Sequence, residues 1–486
     1  MIFHCLNREE LDMPNRGTND FQVDGQNDEK TVWKIVADTL LIPMEFINSE
    51  LSYQSVMQWD SMGHVNLMLA IEKNFDVKIG QDQVLELTSV SEIVSYISKC
   101  STSNFSQKNS IKDNEKSNII HRGLTNIYFD ESEITFIDAK NGKLFHRGYS
   151  IDDLVKQASY EEVAYLLIYS DLPNKKALNI FQKKIELFRK LSDSTVSVIK
   201  LLVNNQTATN VLRTITSHLS ETLADLSVED QGIAYIAKIP TIIGTYLAFK
   251  NNKDLPQPPE KLSQAAYLLF MLLGKIPETD VIRIFEQNMI LQAEHDSNAS
   301  TFAARITTST EAELGNAITS AIATFSGCLH GGALLGVVQM LQEMHDANEV
   351  KSYIQNRLKK KAPIFGFGHR VYRTEDPRAK PLKENAKILS EKYGNARLLE
   401  ILEAVKAEMS GYIEHGINVN VDFYACISYL LMGLEKDMLV PIFIANRSCG
   451  WVAHIIEQKN KNILLRPRLQ YTGDIKDKFI EIEQRA

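Results

Sequence analysis

The sequence predicts a mostly α-helical chain in two helical parts, with one short β-hairpin opening the second. Three observations carry this reading. Apolar residues recur at helical spacing through 30–99: Val32, Ile35, Val36 and Leu40 share one face, and Val65, Met68, Leu69 and Ile71 another. From about residue 119 onward helical stretches follow one another with no alternation of strand and helix, which argues against a parallel sheet with a dinucleotide crevice. The one β signal is Asn141-Gly142, a hairpin turn pair flanked by Ile134 to Asp138 and Lys143 to His146.

In chain order, residues 1–29 are rich in Asn, Asp and Gly with little periodicity and read as a mobile tail. The compact helical unit spans 30–100 and closes with a third helical stretch, Ser91 to Ile97. Residues 101–118 are polar, rich in Ser, Asn and Lys, and read as a linker. The large helical part fills 119–486. Its helices begin at cap signals such as Ser159-Tyr160-Glu161-Glu162 and Thr310-Glu311-Ala312-Glu313.

Bulk properties narrow the function. A net charge of −8 with no basic block argues against nucleic acid as the main partner. Residues 1–30 lack the apolar core of a signal peptide. The most apolar long stretch, Ile233 to Phe249, is broken by Lys238 and is short for a bilayer, so no membrane partner is expected. Five cysteines (Cys5, Cys100, Cys328, Cys426, Cys449) form no CxxC pair. They read as reduced thiols in a cytoplasmic protein, with neither a disulfide framework nor a metal site.

Three short stretches carry the chemistry: Gly327-Cys328-Leu329-His330-Gly331-Gly332, Gly366-Phe367-Gly368-His369-Arg370-Val371-Tyr372 and Asn420-Val421-Asp422-Phe423-Tyr424. Two histidines and a carboxylate among glycines suit a reaction that makes and traps a carbanion beside a carbonyl. His330 precedes Gly331-Gly332 and the amphipathic run Ala333 to Met344, which places it near a helix N-terminus that favours a neutral imidazole. It also fits a capping or core histidine. Asp422 stands in an apolar run, where desolvation raises basicity; ahead of an aromatic-rich helix it equally suits an N-cap. Glycines before His369 allow backbone and substrate to approach closely.

The order and spacing of these stretches resemble the citrate synthase family, from about Gly123 to Gly473. The likeness continues in Thr135-Phe136-Ile137-Asp138, His146-Arg147-Gly148-Tyr149, Glu294-His295-Asp296-Ser297-Asn298-Ala299-Ser300-Thr301, Asp376-Pro377-Arg378, Gly450-Trp451-Val452-Ala453-His454 and Arg466-Pro467-Arg468. The resemblance implies two all-helical subdomains, the smaller at roughly 333–440, closing on a cleft. It implies a Claisen-type condensation in which Asp422 removes the α-proton of an acyl thioester and His330 holds the enol oxygen. His369 would then polarise the ketone of oxaloacetate or a related 2-oxo acid. His295, Arg378, Arg447 and Arg466 would bind the dicarboxylate, fork-shaped guanidinium groups suiting carboxylates. Arg466 would reach in from a partner subunit, giving a homodimer with shared sites, and Arg373 matches a position used for coenzyme A. Three positions depart from the pattern: Gln292 where many relatives have histidine, Val419 for a common proline, and Asn446 where a small residue is usual. His64, His415 and His454 read as structural or surface residues.

In the first unit, Asp60-Ser61-Met62 lies between two helical patterns and, with Phe75-Asp76-Val77-Lys78-Ile79, resembles an acyl carrier protein of the four-helix type. Nine acidic residues against five lysines in 30–99 suit a carrier recognised through an acidic surface. The resemblance implies covalent 4'-phosphopantetheine on Ser61, a phosphopantetheinyl transferase as partner, and contact with other acyl-carrier-dependent enzymes. A phosphodiester at a helix N-terminus is electrostatically favoured. Asp-Ser is also an ordinary N-cap, and the unit can equally be a docking bundle. The expected function is therefore condensation of an acyl thioester, on coenzyme A or on the carrier, with oxaloacetate or a related 2-oxo acid to citrate or an alkylcitrate. The alternatives are an ordinary acetyl-coenzyme A citrate synthase or a 2-methylcitrate synthase with a docking unit, and a catalytically idle scaffold.

Overall fold

The computed structural model describes residues 25–53, 55–56, 58–101, 120–124, 127–372, 374–413, 415–475, 479, 482 and 485. The expected linker lies almost wholly outside them. The chain divides into two compact units, residues 1–118 and 119–486.

Among its described residues the first unit has four α-helices: α1 (Gly25–Leu40), α2 (Ser61–Phe75), α3 (Gln81–Glu86) and α4 (Val90–Ser101). Helix α1 begins at Gly25, so the last residues expected in the tail are helical. The apolar faces meet in one core, with Val32, Val36, Leu40, Trp59, Leu67, Met68, Ile71, Val90 and Ile93 fully buried. Helix α2 starts where Asp60 Oδ1 accepts the Gly63 N–H at 2.8 Å. It ends at Asp76 in the left-handed region, φ 50°. The Trp59 indole N–H donates to His64 Nδ1 at 3.0 Å, which puts the imidazole proton on Nε2, 2.8 Å from the Val84 carbonyl. His64 thus ties α2 to α3 inside the core.

The second unit opens with β1 (Thr135–Asp138) antiparallel to β2 (Lys143–His146), Thr135 facing His146, and a short β3 (Tyr149–Ser150) beside β2. Gly142, at φ 60°, makes the turn between β1 and β2. The rest is helical. Ser159 and Glu162 form a reciprocal capping box at Tyr160–Tyr169. The second expected cap is corrected: Thr310 ends the helix Ala299–Ser309, and Leu314–Phe325 starts after Glu313 without a side-chain cap.

Two long helices form the centre. Val228–Lys250 has 23 residues, longer than its apolar stretch suggested, and with Lys436–Asn460 is long and apolar enough to cross a membrane by length and composition. Most of the first helix's apolar window, and all of the second's, is buried against other helices, so both serve as core helices here. They approach closely at Gly232, where a Cβ would fall 2.3 Å from Val452. Residues 333–440 contribute Ala333–Gln342, Val350–Lys359, Ala379–Lys392, Arg397–Glu408 and Val421–Leu431, which pack on one another; Val421–Leu431 also touches Thr279–Gln292.

Candidate active site

Two of the three motif stretches are stitched together by backbone. Gly368 N–H donates to the Asn418 carbonyl at 2.8 Å and Asn420 N–H to the Gly366 carbonyl at 2.9 Å. Asn420 Nδ2 reaches the Gly368 carbonyl at 3.1 Å. Gly366 lies at φ 86°, and a Cβ there would meet the Phe423 ring at 2.6 Å, so the crossing requires glycine. His369 and Asp422 are thereby fixed on neighbouring backbone.

Asp422 is not the cap of its helix. The Asn420 side-chain oxygen accepts the Asp422 N–H at 3.0 Å and performs that role. This leaves the carboxyl of Asp422 buried and without a hydrogen bond among the described residues. Burial pushes its pKa up to about 7; Arg378 and Arg447 pull down and Asp376 pushes up. A carboxylate so placed is a stronger base than an exposed one and suits general-base work where a neighbouring donor stabilises the enolate.

His330 sits in a tight turn, its N–H and that of Gly332 both donating to the Gly327 carbonyl. The following helix starts only at Ala333. Burial, with Arg447 nearby, lowers the imidazole pKa to about 4, so the ring is neutral. The Ser300 N–H donates to Nε2 at 3.3 Å, which assigns the proton to Nδ1 and makes that nitrogen the donor. Ser300 Oγ lies 2.8 Å from the same Nε2 and accepts the Trp451 indole N–H at 3.1 Å. Phe325 packs edge-on against the imidazole, ring centroids 4.8 Å apart.

The remaining residues form a cationic pocket. His369 Nδ1 accepts the N–H groups of Val371 and Tyr372 at 3.0 and 3.1 Å, so its proton is on Nε2. His295 is buried, its ring 5.0 Å from that of His369, with Nε2 3.3 Å from the Tyr372 hydroxyl. Burial and then Arg378 hold His295 far below the usual imidazole range. Arg378 grips Asp376 with two bonds, 2.9 and 2.6 Å, both side chains buried. Burial would lower the Arg378 pKa, but Asp376 more than offsets it. Arg447 donates from Nε to the Gln292 carbonyl at 2.6 Å; burial lowers it to about 10 although Glu294 opposes. Glu294 in turn bonds His454 at 3.0 Å, both buried, which makes His454 structural.

The donor atoms of His295, His369 and Asp376 lie within 4.8 Å of one another. Both Asp376 oxygens are already held by Arg378, and His369 Nδ1 by two N–H groups, so the trio is a hydrogen-bonded frame rather than an open ligand set. Arg466 lies apart: it is exposed in the segment without helix or strand after Asn460 and makes no hydrogen bond or ion pair among the described residues. Arg373 is outside the described residues, and Ser61 belongs to the other unit.

Residues 123–468 match the family described as citrate synthase, C-terminal domain. The chain belongs to the citrate synthase family. A citrate synthase of Haloferax volcanii is 37% identical over 377 residues, 75% of this chain and 99% of that protein. A 2-methylcitrate synthase of Mycobacterium tuberculosis is 36% identical, over 73% of this chain and 91% of its own. Among solved structures, the Thermotoga maritima citrate synthase matches with TM-score 0.70 at 34% identity, covering 76% of this chain and all of that one. The Thermoplasma acidophilum citrate synthase, solved as a ternary complex with carboxymethyl coenzyme A and oxaloacetate, matches with TM-score 0.72 at 28% identity, with the same coverage.

Several groups of this citrate synthase fold escaped sequence reasoning. Asp376 was visible as part of a motif, but its grip on Arg378 was not. Ser300 and Trp451 stood in matched segments without any sign that they share a bond. Tyr429 had no signal at all, because a tyrosine on an apolar helix face reads as core.

Proposed function

We propose that the chain condenses a short acyl-coenzyme A with oxaloacetate to give citrate or 2-methylcitrate. The observation that carries this is Asp422: a buried carboxyl with no hydrogen bond among the described residues, its pKa near 7, in the field of Arg378 and Arg447. In this reading the Asp422 carboxylate takes an α-proton from the thioester, and the electron pair moves to the thioester oxygen. Nδ1–H of neutral His330 stabilises that oxygen. The α-carbon attacks the ketone carbon of oxaloacetate, whose oxygen is polarised and then protonated through His369. Arg378, Arg447 and His295 hold the two carboxylates. Water then cleaves the thioester, releasing the coenzyme A thiol.

Coenzyme A is favoured as acyl carrier because the named citrate synthases and 2-methylcitrate synthase align over nine-tenths or more of their own length within three-quarters of this chain. The test is purified protein with oxaloacetate and either acetyl- or propionyl-coenzyme A, reading thiol release and product mass. No thiol and no product with either donor refutes the reading.

A second reading concerns the first unit. Ser61 is the first residue of α2, directly after the Asp60 cap, in a four-helix unit with its own core. That position favours 4'-phosphopantetheine on Ser61, added by a phosphopantetheinyl transferase, with the arm carrying a donor or presenting the unit to other carrier-dependent enzymes. Intact mass after co-expression with such a transferase tests it. The exposed Arg466 supports a homodimer in which each subunit completes the other's dicarboxylate site.

A further inference from the structure

Three polar side chains outside the acid–base set meet where the supports of the site converge. Gln292 ends the helix Thr279–Gln292, Tyr429 lies on Val421–Leu431, and Asn446 lies on Leu439–Asn460. All three have 0% exposure. Gln292 Oε1 accepts the Tyr429 hydroxyl at 2.9 Å and Asn446 Nδ2 at 2.8 Å, and Nδ2 also reaches the Tyr429 oxygen at 3.1 Å. The triangle is closed.

Each corner is tied to a residue of the site. The Gln292 carbonyl accepts Arg447 Nε, and Gln292 closes its helix three residues before His295. Asn446 immediately precedes Arg447. Tyr429 lies two turns after Asp422 on the same helix, hence on the same side. The triangle therefore joins the helices bearing Asp422 and Arg447 to the end of the helix that leads into His295. It does so at a cost in stability: Gln292 Nε2 and Asn446 Oδ1 are buried with no partner among the described residues. Apolar side chains would fill this space more favourably, so packing alone does not account for the network. Gln292 and Asn446, two positions that the sequence singled out separately, here bond to each other.

We propose that Gln292, Tyr429 and Asn446 act as one positioning unit that sets the spacing between Asp422 and Arg447 during condensation. The inference rests on the function proposed above. Tyr429 anchors the base-bearing helix, while Gln292 holds Arg447 through its backbone and Asn446 through its side chain. Loosening any corner lets the base shift relative to the bound dicarboxylate, and such displacements are costly to rate.

The test uses the full chain with Tyr429→Phe, Gln292→Met and the double variant, measuring kcat, the two KM values and Tm. Each single variant is expected to lower kcat and raise the oxaloacetate KM, together about fivefold or more in kcat/KM, with the acyl-coenzyme A KM nearly unchanged. The double variant is expected to be no worse than the poorer single, because residues of one network are not additive. Singles that lower Tm while leaving kcat and both KM values intact overturn the inference, as does a double variant whose losses multiply. Tyr429→Phe removes one oxygen from a buried ring, so it decides the matter even if Gln292→Met fails to fold. Wild-type protein that forms no product overturns the function itself, and this inference with it.

Discussion

Asp422→Asn is expected to abolish turnover and, at the same time, to make the protein more stable at alkaline pH. In the folded chain the carboxyl keeps its proton up to about pH 7, whereas an unfolded aspartate loses it near 3.8. Between those values the folded state binds more protons than the unfolded one, so stability falls as pH rises through that window. Once the pH is above both values the cost levels off, at roughly 4 kcal/mol for a shift of this size. Asparagine cannot ionise and carries none of it. The helix is not disturbed, because Asn420 supplies the cap through the Asp422 N–H. Urea unfolding of parent and variant at pH 8 and at pH 4.5 should show the variant more stable by up to about 4 kcal/mol at pH 8, the gain shrinking to about 1 kcal/mol at pH 4.5. The parent's kcat should fall about tenfold per pH unit below 7 as the base is protonated. A stability difference that is the same at both pH values would refute the raised pKa, and with it the reason for assigning Asp422 as the base.

Asp376→Asn breaks a buried pair and leaves Arg378 uncompensated, so a loss of about 3–5 kcal/mol in unfolding free energy is expected, with a weaker oxaloacetate KM; an unchanged urea midpoint would contradict it. Ser300→Ala strips a hydroxyl from His330 Nε2 and from the Trp451 indole; kcat should drop by roughly tenfold in pre-steady-state thioester enolisation while oxaloacetate affinity holds. Arg466→Ala mixed with His330→Ala should regain activity on subunit exchange, since hybrid dimers would contain one intact site; no recovery after demonstrated exchange places both residues in one subunit. Intact-mass spectra should show Ser61 gaining a phosphopantetheine mass and Ser61→Ala lacking it, and an unmodified Ser61 would leave the first unit as a docking bundle.

The candidate trio His330, His369 and Asp422 was legible because its residue types and glycine neighbours are local. What leaves the Asp422 carboxyl without a hydrogen bond among the described residues was not. That depends on the Asn420 side chain capping the helix at the Asp422 N–H, and on burial of the carboxyl in the field of Arg378, Asp376 and Arg447, neither of which spacing reveals. The stitching of 366–369 to 418–422 is a backbone contact between segments some fifty residues apart, and side-chain patterns carry no trace of it. The neutrality of His330 was anticipated from a helix terminus, whereas burial and Arg447 supply it, the helix beginning three residues beyond His330 at Ala333. Gln292 and Asn446 were visible only as separate oddities; their bond, with Tyr429, appears once three helices are brought together.

The bond between Trp451 and Ser300 has an optical consequence. The other two tryptophans, Trp33 and Trp59, belong to the first unit, so Trp451 is the single indole of residues 119–486. It is fully buried, and its N–H ends on the hydroxyl that contacts His330. Anything that draws on the His330 imidazole, whether a thioester oxygen at Nδ1 or a proton, redistributes charge one hydrogen bond from the chromophore. With Trp33 and Trp59 changed to phenylalanine, the emission of the remaining indole becomes a label-free readout of events at the condensing centre, placed there by the fold itself.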